Sequence, residues 1–79
     1  MPHEHIAYGV PDMDEDAGAL LRKRLLALPG VHDVTLWPGQ QQIEIDYDPD
    51  RVAPATLVDT MRQAGFLAKF IPRPERWPG

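Results

Sequence analysis

The order in which two kinds of hydrophobic periodicity follow one another constrains this fold more than any other feature of the sequence. Apolar residues alternate with other residues, the period of a half-buried β-strand, in the four segments 6–10, 33–37, 42–48 and 66–71. Two segments between them, 17–28 and 54–64, carry apolar residues at the three- and four-residue spacing of an amphipathic helix. The predicted element order is therefore βαββαβ.

Proline and glycine mark the boundaries of these elements. Pro29-Gly30 is typical of the end of a helix, and Pro38-Gly39 predicts a tight turn between the second and third strands. Two right-handed crossovers around a central hairpin give an α+β, ferredoxin-like sandwich. We expect a four-stranded antiparallel sheet in the order 4-1-3-2, with both helices on one face and the other face open to solvent.

The core follows from the same periodicities. The residues predicted to supply much of it are Ile6, Tyr8, Val10, Leu21, Leu25, Leu28, Val34, Leu36, Ile43, Ile45, Leu57, Met61, Phe66 and Ala68.

Length and composition exclude several classes of protein. The chain has 79 residues, a formal charge of −4 and no cysteine. It is long enough for one domain, which we place at 1–71, followed by a Pro/Arg-rich tail at 72–79. Disulfides, iron–sulfur clusters and cysteine nucleophiles are excluded, and an acidic chain is a poor nucleic-acid binder. With no secretory or membrane segment, we expect a cytoplasmic protein that has no membrane partner. The sequence has neither a Ser/His/Asp arrangement around a nucleophile nor a glycine-rich phosphate loop, so we do not expect an enzyme.

Three short stretches resemble the heavy-metal-associated domains, which include small copper chaperones and the N-terminal domains of metal-pumping P-type ATPases. They are Leu-Pro-Gly-Val at 28–31, Ile-Glu-Ile-Asp-Tyr-Asp-Pro at 43–49 and Ala-Gly-Phe-Leu-Ala at 64–68. The similarity spans about residues 5–71. It implies the ferredoxin-like fold and a role in metal binding, metal transport or metal homeostasis.

The family's Met-x-Cys-x-x-Cys loop is degenerate in this sequence. Aligned on Met13, the two cysteine positions hold Glu15 and Gly18; aligned without gaps on the stretch at 28–31, they hold Asp14 and Ala17. Soft ions such as Cu(I) select thiolate and thioether ligands, and one methionine does not replace two thiolates. We therefore expect weak Cu(I) binding in this loop, if any.

The same loop offers one alternative metal site. Met13, Asp14, Glu15 and Asp16, which follow Asp12, could hold a hard or borderline cation through oxygen. The competing interpretation is a helix cap, because acidic residues in the first turn stabilise the unpaired N–H groups and the positive dipole end. Asp12 and Glu15 have the spacing of a capping box.

A second candidate site lies on the open sheet face. Strand alternation places His3 and His5 on this face, and the antiparallel third strand brings Asp46 and Glu44 beside them. Imidazole and carboxylate ligands suit divalent Zn, Ni, Co or Cu(II). One alternative is a solvated strand end with ordinary surface histidines, and a second is that Lys69 of the fourth strand neutralises the carboxylates. We treat His32 as surface, since the third strand separates it from the first.

Strand alternation places Trp37 opposite Val34 and Leu36, on the open face of the sheet, where it is a candidate anchor for a protein partner. Alternatively the tail covers it, with Arg73 and Arg76 pairing with Glu44 and Asp46 and Trp77 lying across the face.

These candidate sites lead to two possible functions. The chain is either a metal-homeostasis domain with a thiolate-free divalent site, or a metal-independent interaction or regulatory module that uses this face.

Overall fold

The computed structural model describes residues 3–77, so positions 1, 2, 78 and 79, including the end of the predicted tail, lie outside the described residues. The secondary structure, in chain order, is β1 (Glu4–Gly9), α1 (Glu15–Leu26), β2 (Val31–Trp37), a short 3-10 turn (Pro38–Gln40), β3 (Gln42–Tyr47), α2 (Pro54–Gln63) and β4 (Lys69–Ile71). The predicted βαββαβ order is confirmed.

The four strands form one antiparallel sheet in the order β2-β3-β1-β4, which is the predicted 4-1-3-2 arrangement. Strand β3 is central: it pairs Ile45 with Ile6 of β1 on one side and with Val34 of β2 on the other. Apolar residues of β3 are buried and alternate with half-buried polar ones. The buried residues belong to the apolar core cluster that both helices enter.

Helix α1 begins and ends two residues earlier than predicted. Asp14 is its N-cap, and the carboxylate accepts a 2.8 Å hydrogen bond from the Ala17 backbone N–H. The capping box predicted from Asp12 is therefore wrong, because Asp12 adopts a left-handed backbone conformation (φ +67°) two positions before the cap. The helix ends at Leu26, and Leu28 N–H bonds back to Leu25 in the turn that follows.

Strand β4 is three residues long, rather than the predicted six. The start of the predicted strand is instead hydrogen-bonded to the last turn of α2. Gly65 has φ +94°, its N–H bonds to Arg62 and the N–H of Phe66 bonds to Met61. This is the Schellman pattern of helix termination. The ladder with β1 starts at Lys69.

The predicted core is largely confirmed. Leu21 and Leu25 of α1 and Leu57 and Met61 of α2 are fully buried. Five predicted residues are only partly buried at its margin: Ile6, Leu28, Leu36, Phe66 and Ala68. Four residues of the buried hydrophobic core were missed: Ala7, Met13, Tyr47 and Val52.

Candidate metal centre and the sheet face

The C-terminal segment 72–77 lies on the sheet face that the sequence predicts to be open. Pro74 is buried, and Ala7, which has open-face parity in β1, has no exposed surface. The side chains of Arg76 and Trp77 both reach Glu44 at the middle of β3. Of the two alternatives left open for this face, the structure shows intramolecular cover by the tail.

Glu44 is the point at which the tail is fastened. Its Oε2 accepts from Arg76 Nε at 2.5 Å and from the Trp37 indole, and its Oε1 accepts from the Trp77 indole. Arg76 Nη1 also donates to Gln42 at 2.5 Å. Of the pairings that this alternative offered, the structure contains that of Arg76 with Glu44. Arg73, by contrast, takes part in none of the ion pairs found among residues 3–77.

The electrostatics of Glu44 follow from these contacts. Burial alone would raise the pKa of its carboxyl group. The hydrogen bonds from Arg76, Trp77 and Trp37, together with the charge of Arg76, outweigh burial and hold the pKa below its ordinary value. Glu44 is therefore an ionised carboxylate with three donors already in place. A metal ion would have to displace them in order to use it as a ligand.

His3 and Asp46 are the two members of the predicted face site whose polar atoms the structure brings together. His3 Nδ1 lies 3.5 Å from Asp46 Oδ1. That oxygen is buried and accepts no hydrogen bond within the described chain. His5 stands opposite Asp46 in the β1–β3 register, but its ring contacts the edge of Trp77, with centroids 6.3 Å apart. Lys69, opposite Gly9, forms none of the ion pairs of residues 3–77.

His32 is the residue that sequence reasoning missed. It is exposed, as expected, but its imidazole stacks on that of His3, with centroids 4.0 Å apart and ring planes 11° apart. Strand β2 has a register irregularity at this point: Val31 pairs with Tyr47 and Asp33 with Asp46, so His32 is an extra residue. A bulge redirects the side chain, and the expectation that β3 keeps His32 apart from His3 is wrong.

The side chains of the acidic loop before α1 do not converge on a common metal site. Met13 is 2% exposed and belongs to the core, and Asp14 is committed to the helix cap. Glu15 and Asp16 are exposed in the first turn. Within residues 3–77, no three or more His, Asp or Glu side chains are already arranged to hold a metal ion, here or on the sheet face.

The structure also distinguishes the two alignments of the missing cysteine pair. A Cβ added at Gly18 would lie 3.3 Å from Leu36 Cδ1, which is a tight contact in the core. Asp14 is exposed and Ala17 is half-buried. The gap-free alignment, with Asp14 and Ala17 at the cysteine positions, is therefore the one that leaves room for side chains.

Comparison with known proteins agrees with this fold. The family model described as "Heavy-metal-associated domain" matches residues 10–66. No curated protein sequence matches the chain significantly. The N-terminal domain of a potential copper-translocating P-type ATPase from Bacillus subtilis, in its Cu(I)-loaded state, superposes with a TM-score of 0.85 at 18% identity, covering 99% of each chain.

Two further solved structures are similar. Oxidized MerP from Ralstonia metallidurans CH34 has a TM-score of 0.82 at 17% identity, covering 87% of this chain and 97% of MerP. The yeast copper transporter domain Ccc2a has a TM-score of 0.77 at 18% identity, covering 85% and 93%. At these identities the superpositions establish the ferredoxin-like fold.

Because the family model covers more than half of the sequence, the chain belongs to the heavy-metal-associated domain family. Membership supports, in general terms, a role in metal binding or metal homeostasis. No helix in the described range 3–77 has the length and apolar character needed to cross a membrane.

Proposed function

We propose that this chain is a metal-homeostasis domain that binds a divalent ion on the sheet face, with His3 and Asp46 as its central ligands, instead of carrying Cu(I) in the loop before α1. The observation that carries the proposal is the buried Asp46 oxygen, which has no hydrogen-bond donor and lies 3.5 Å from an imidazole nitrogen. The ions suited to such ligands are Zn, Ni, Co and Cu(II). The proposal includes a cytoplasmic location and assigns no catalytic role.

The distance between these two atoms supports a metal site better than it supports a hydrogen bond. N–H···O hydrogen bonds in proteins are usually ~2.7–3.2 Å long. Two ligand atoms of a tetrahedral zinc ion, each about 2.1 Å from the metal, are roughly 3.4 Å apart. The separation of His3 Nδ1 from Asp46 Oδ1 is 3.5 Å, which matches the spacing of two ligand atoms on one zinc ion.

The loop supports the opposite conclusion for Cu(I). Both thiolates are absent, and the Met13 thioether is directed into the core, where it would contact a Cβ at Gly18 at 3.6 Å. Moving Met13 outward would leave a cavity among buried residues, at a cost of about 2–5 kcal/mol. A soft ion therefore has no accessible soft ligand in the loop.

Calorimetric titration with Zn and Ni tests the proposal. We expect one ion per chain in the wild type and a loss of binding in His3→Ala. An Asp14→Asn/Glu15→Gln variant, which keeps a capping side chain but removes two loop charges, should bind as the wild type does. Loss of binding in the loop variant alone would move the site to the loop, and competition against a Cu(I) chelator should show no tight Cu(I) binding.

A metal-independent interaction or regulatory module is the second candidate. It is favoured by the tail, which binds the sheet face through Arg76 and Trp77 as a peptide ligand would, and by Trp37, which stays 38% exposed beside them. A protein partner would meet this face at Trp37. The absence of stoichiometric metal binding in the titration above would favour this candidate.

A further inference from the structure

We infer that His32 is the second imidazole ligand of a divalent metal site formed by His3, His32 and Asp46, an inference that rests on the proposed function. The three side chains come from the residue before β1, from the bulge in β2 and from β3. His5, the imidazole that strand alternation favours, is directed instead toward Trp77. The site therefore draws on both neighbours of β3 rather than on β1 alone.

The bulge explains how His32 reaches this position. Val31 and Val34 both belong to the core side of β2, although they are three residues apart. Strict alternation from Val34 would place residue 32 on the core side as well. The extra residue breaks the alternation, and His32 stacks on His3 instead. Bulges commonly redirect one side chain in this manner.

The stacked arrangement is not itself a ligating one, so His3 and His32 would have to turn about their side-chain torsions to bind one ion together with Asp46. The lone pair of a ring nitrogen lies in the plane of its ring, so two rings stacked 4.0 Å apart do not direct both lone pairs at one point. His3 and His32 are both exposed and are free to turn about their side-chain torsions. Asp46 is held by the ladders on both sides of β3.

The charge at the site is also suited to a cation. Asp46 Oδ1 is buried without a hydrogen-bond donor, which is costly for a carboxylate oxygen. Arg76 of the tail pairs with Glu44 instead. A dication held by Asp46 and two neutral imidazoles would supply the missing interaction. Two nitrogens and one oxygen leave one tetrahedral position for water, and they favour Zn or Co over Mg or Ca.

The test compares single variants at the three histidines by Zn calorimetry, with Co(II) absorption as a second readout of tetrahedral geometry. We expect His3→Ala and His32→Ala each to weaken Zn binding about tenfold or more, because losing even a second-shell partner of a metal costs at least this much. His5→Ala is the matched control and should stay within about threefold of the wild type. His5 and His32 are exposed, and far-UV circular dichroism checks that each variant is folded.

The outcomes separate this inference from the function on which it rests. If His3→Ala loses Zn while His32→Ala binds as the wild type does, His32 is not a ligand, and the proposed function stands without it. If His5→Ala loses Zn and His32→Ala does not, the second imidazole is His5 and the inference is overturned. If the wild type binds no divalent ion, both are overturned, and the cluster is an ion pair between His3 and Asp46.

Discussion

The guanidinium of Arg76 lies over the indole ring of Trp37, with Cζ 4.7 Å from the ring centroid, while both side chains donate to the carboxylate of Glu44. A cation–π contact and a charge-assisted hydrogen bond thus meet at one place on the sheet. The tail is fastened to the domain by this group of three residues. Detaching the tail from the sheet should lower the free energy of unfolding and change the environment of Trp37 and Trp77.

Replacing Arg76 by alanine should detach the tail. We expect the free energy of unfolding to fall by about 1–3 kcal/mol, since the variant loses the hydrogen bond to Glu44 and the cation–π contact. Urea denaturation measures the change, and the tryptophan emission should shift to longer wavelength as Trp77 meets water. Arg73→Ala is the control, because Arg73 is exposed and belongs to none of the ion pairs in residues 3–77. Equal effects of the two variants would contradict a specific role for Arg76.

Acid should release the tail through Glu44. The pKa of this carboxyl is lower in the folded state than in the unfolded chain. Its contribution to stability is therefore complete above the ordinary glutamate value of ~4.3 and is lost as the pH falls through the lower folded-state value. Tryptophan fluorescence followed from pH 7 downward should report the change below about pH 4. Glu44→Gln should remove this step, and an unchanged profile in that variant would show that another group is responsible.

A third prediction concerns the hydrogen bond by which Asp14 caps helix α1. Asp14→Ala should lower the free energy of unfolding by about 1 kcal/mol, because the Ala17 N–H loses its acceptor. Asp14→Asn should retain most of the stability, since asparagine caps equally well. Thermal denaturation of the two variants compares them directly. If the asparagine variant were as unstable as the alanine variant, the negative charge rather than the hydrogen bond would be the main contribution.

Gly30 is a position at which the fold requires glycine. It has φ +94°, and an added Cβ would lie 2.8 Å from the Cβ of Arg51. Gly30→Ala should therefore destabilise the domain by about 1–3 kcal/mol, from backbone strain and from the displaced loop. Gly39→Ala is the matched control, since a Cβ there meets no atom within 4 Å. Chemical denaturation should show little change in the control.

Periodicity predicted the strand order and most of the core because both depend on which face of each element is apolar. Ile43 and Ile45 alternate with polar neighbours, and Leu21 and Leu25 are one helical turn apart, so their burial follows from local sequence. Met13 and Val52 lie in loops, where no period exists to assign a face, and their burial depends on tertiary packing.

The candidate site was only partly predictable, because periodicity does not reveal a bulge or the path of a loop. His3 and Asp46 follow from alternation and antiparallel pairing, but His32 depends on one extra residue in β2. A signal was present: Val31 and Val34 are apolar at a spacing of three, which strict alternation forbids and a bulge explains. Which tail arginine pairs with Glu44 depends on the path of segment 72–77, and the sequence alone left both Arg73 and Arg76 possible.

Long-range proton–nitrogen spectra of the histidine rings, recorded as one equivalent of Zn is added, test the central claim most directly. They report which imidazole nitrogens bind the ion, and the backbone amides of residues 12–16 report on the loop in the same sample. We predict that the ring nitrogens of His3 and His32 shift on binding while those of His5 and the loop amides stay in place. Shifts confined to the loop amides, or histidine rings unchanged at full saturation, would contradict a metal site on the sheet face.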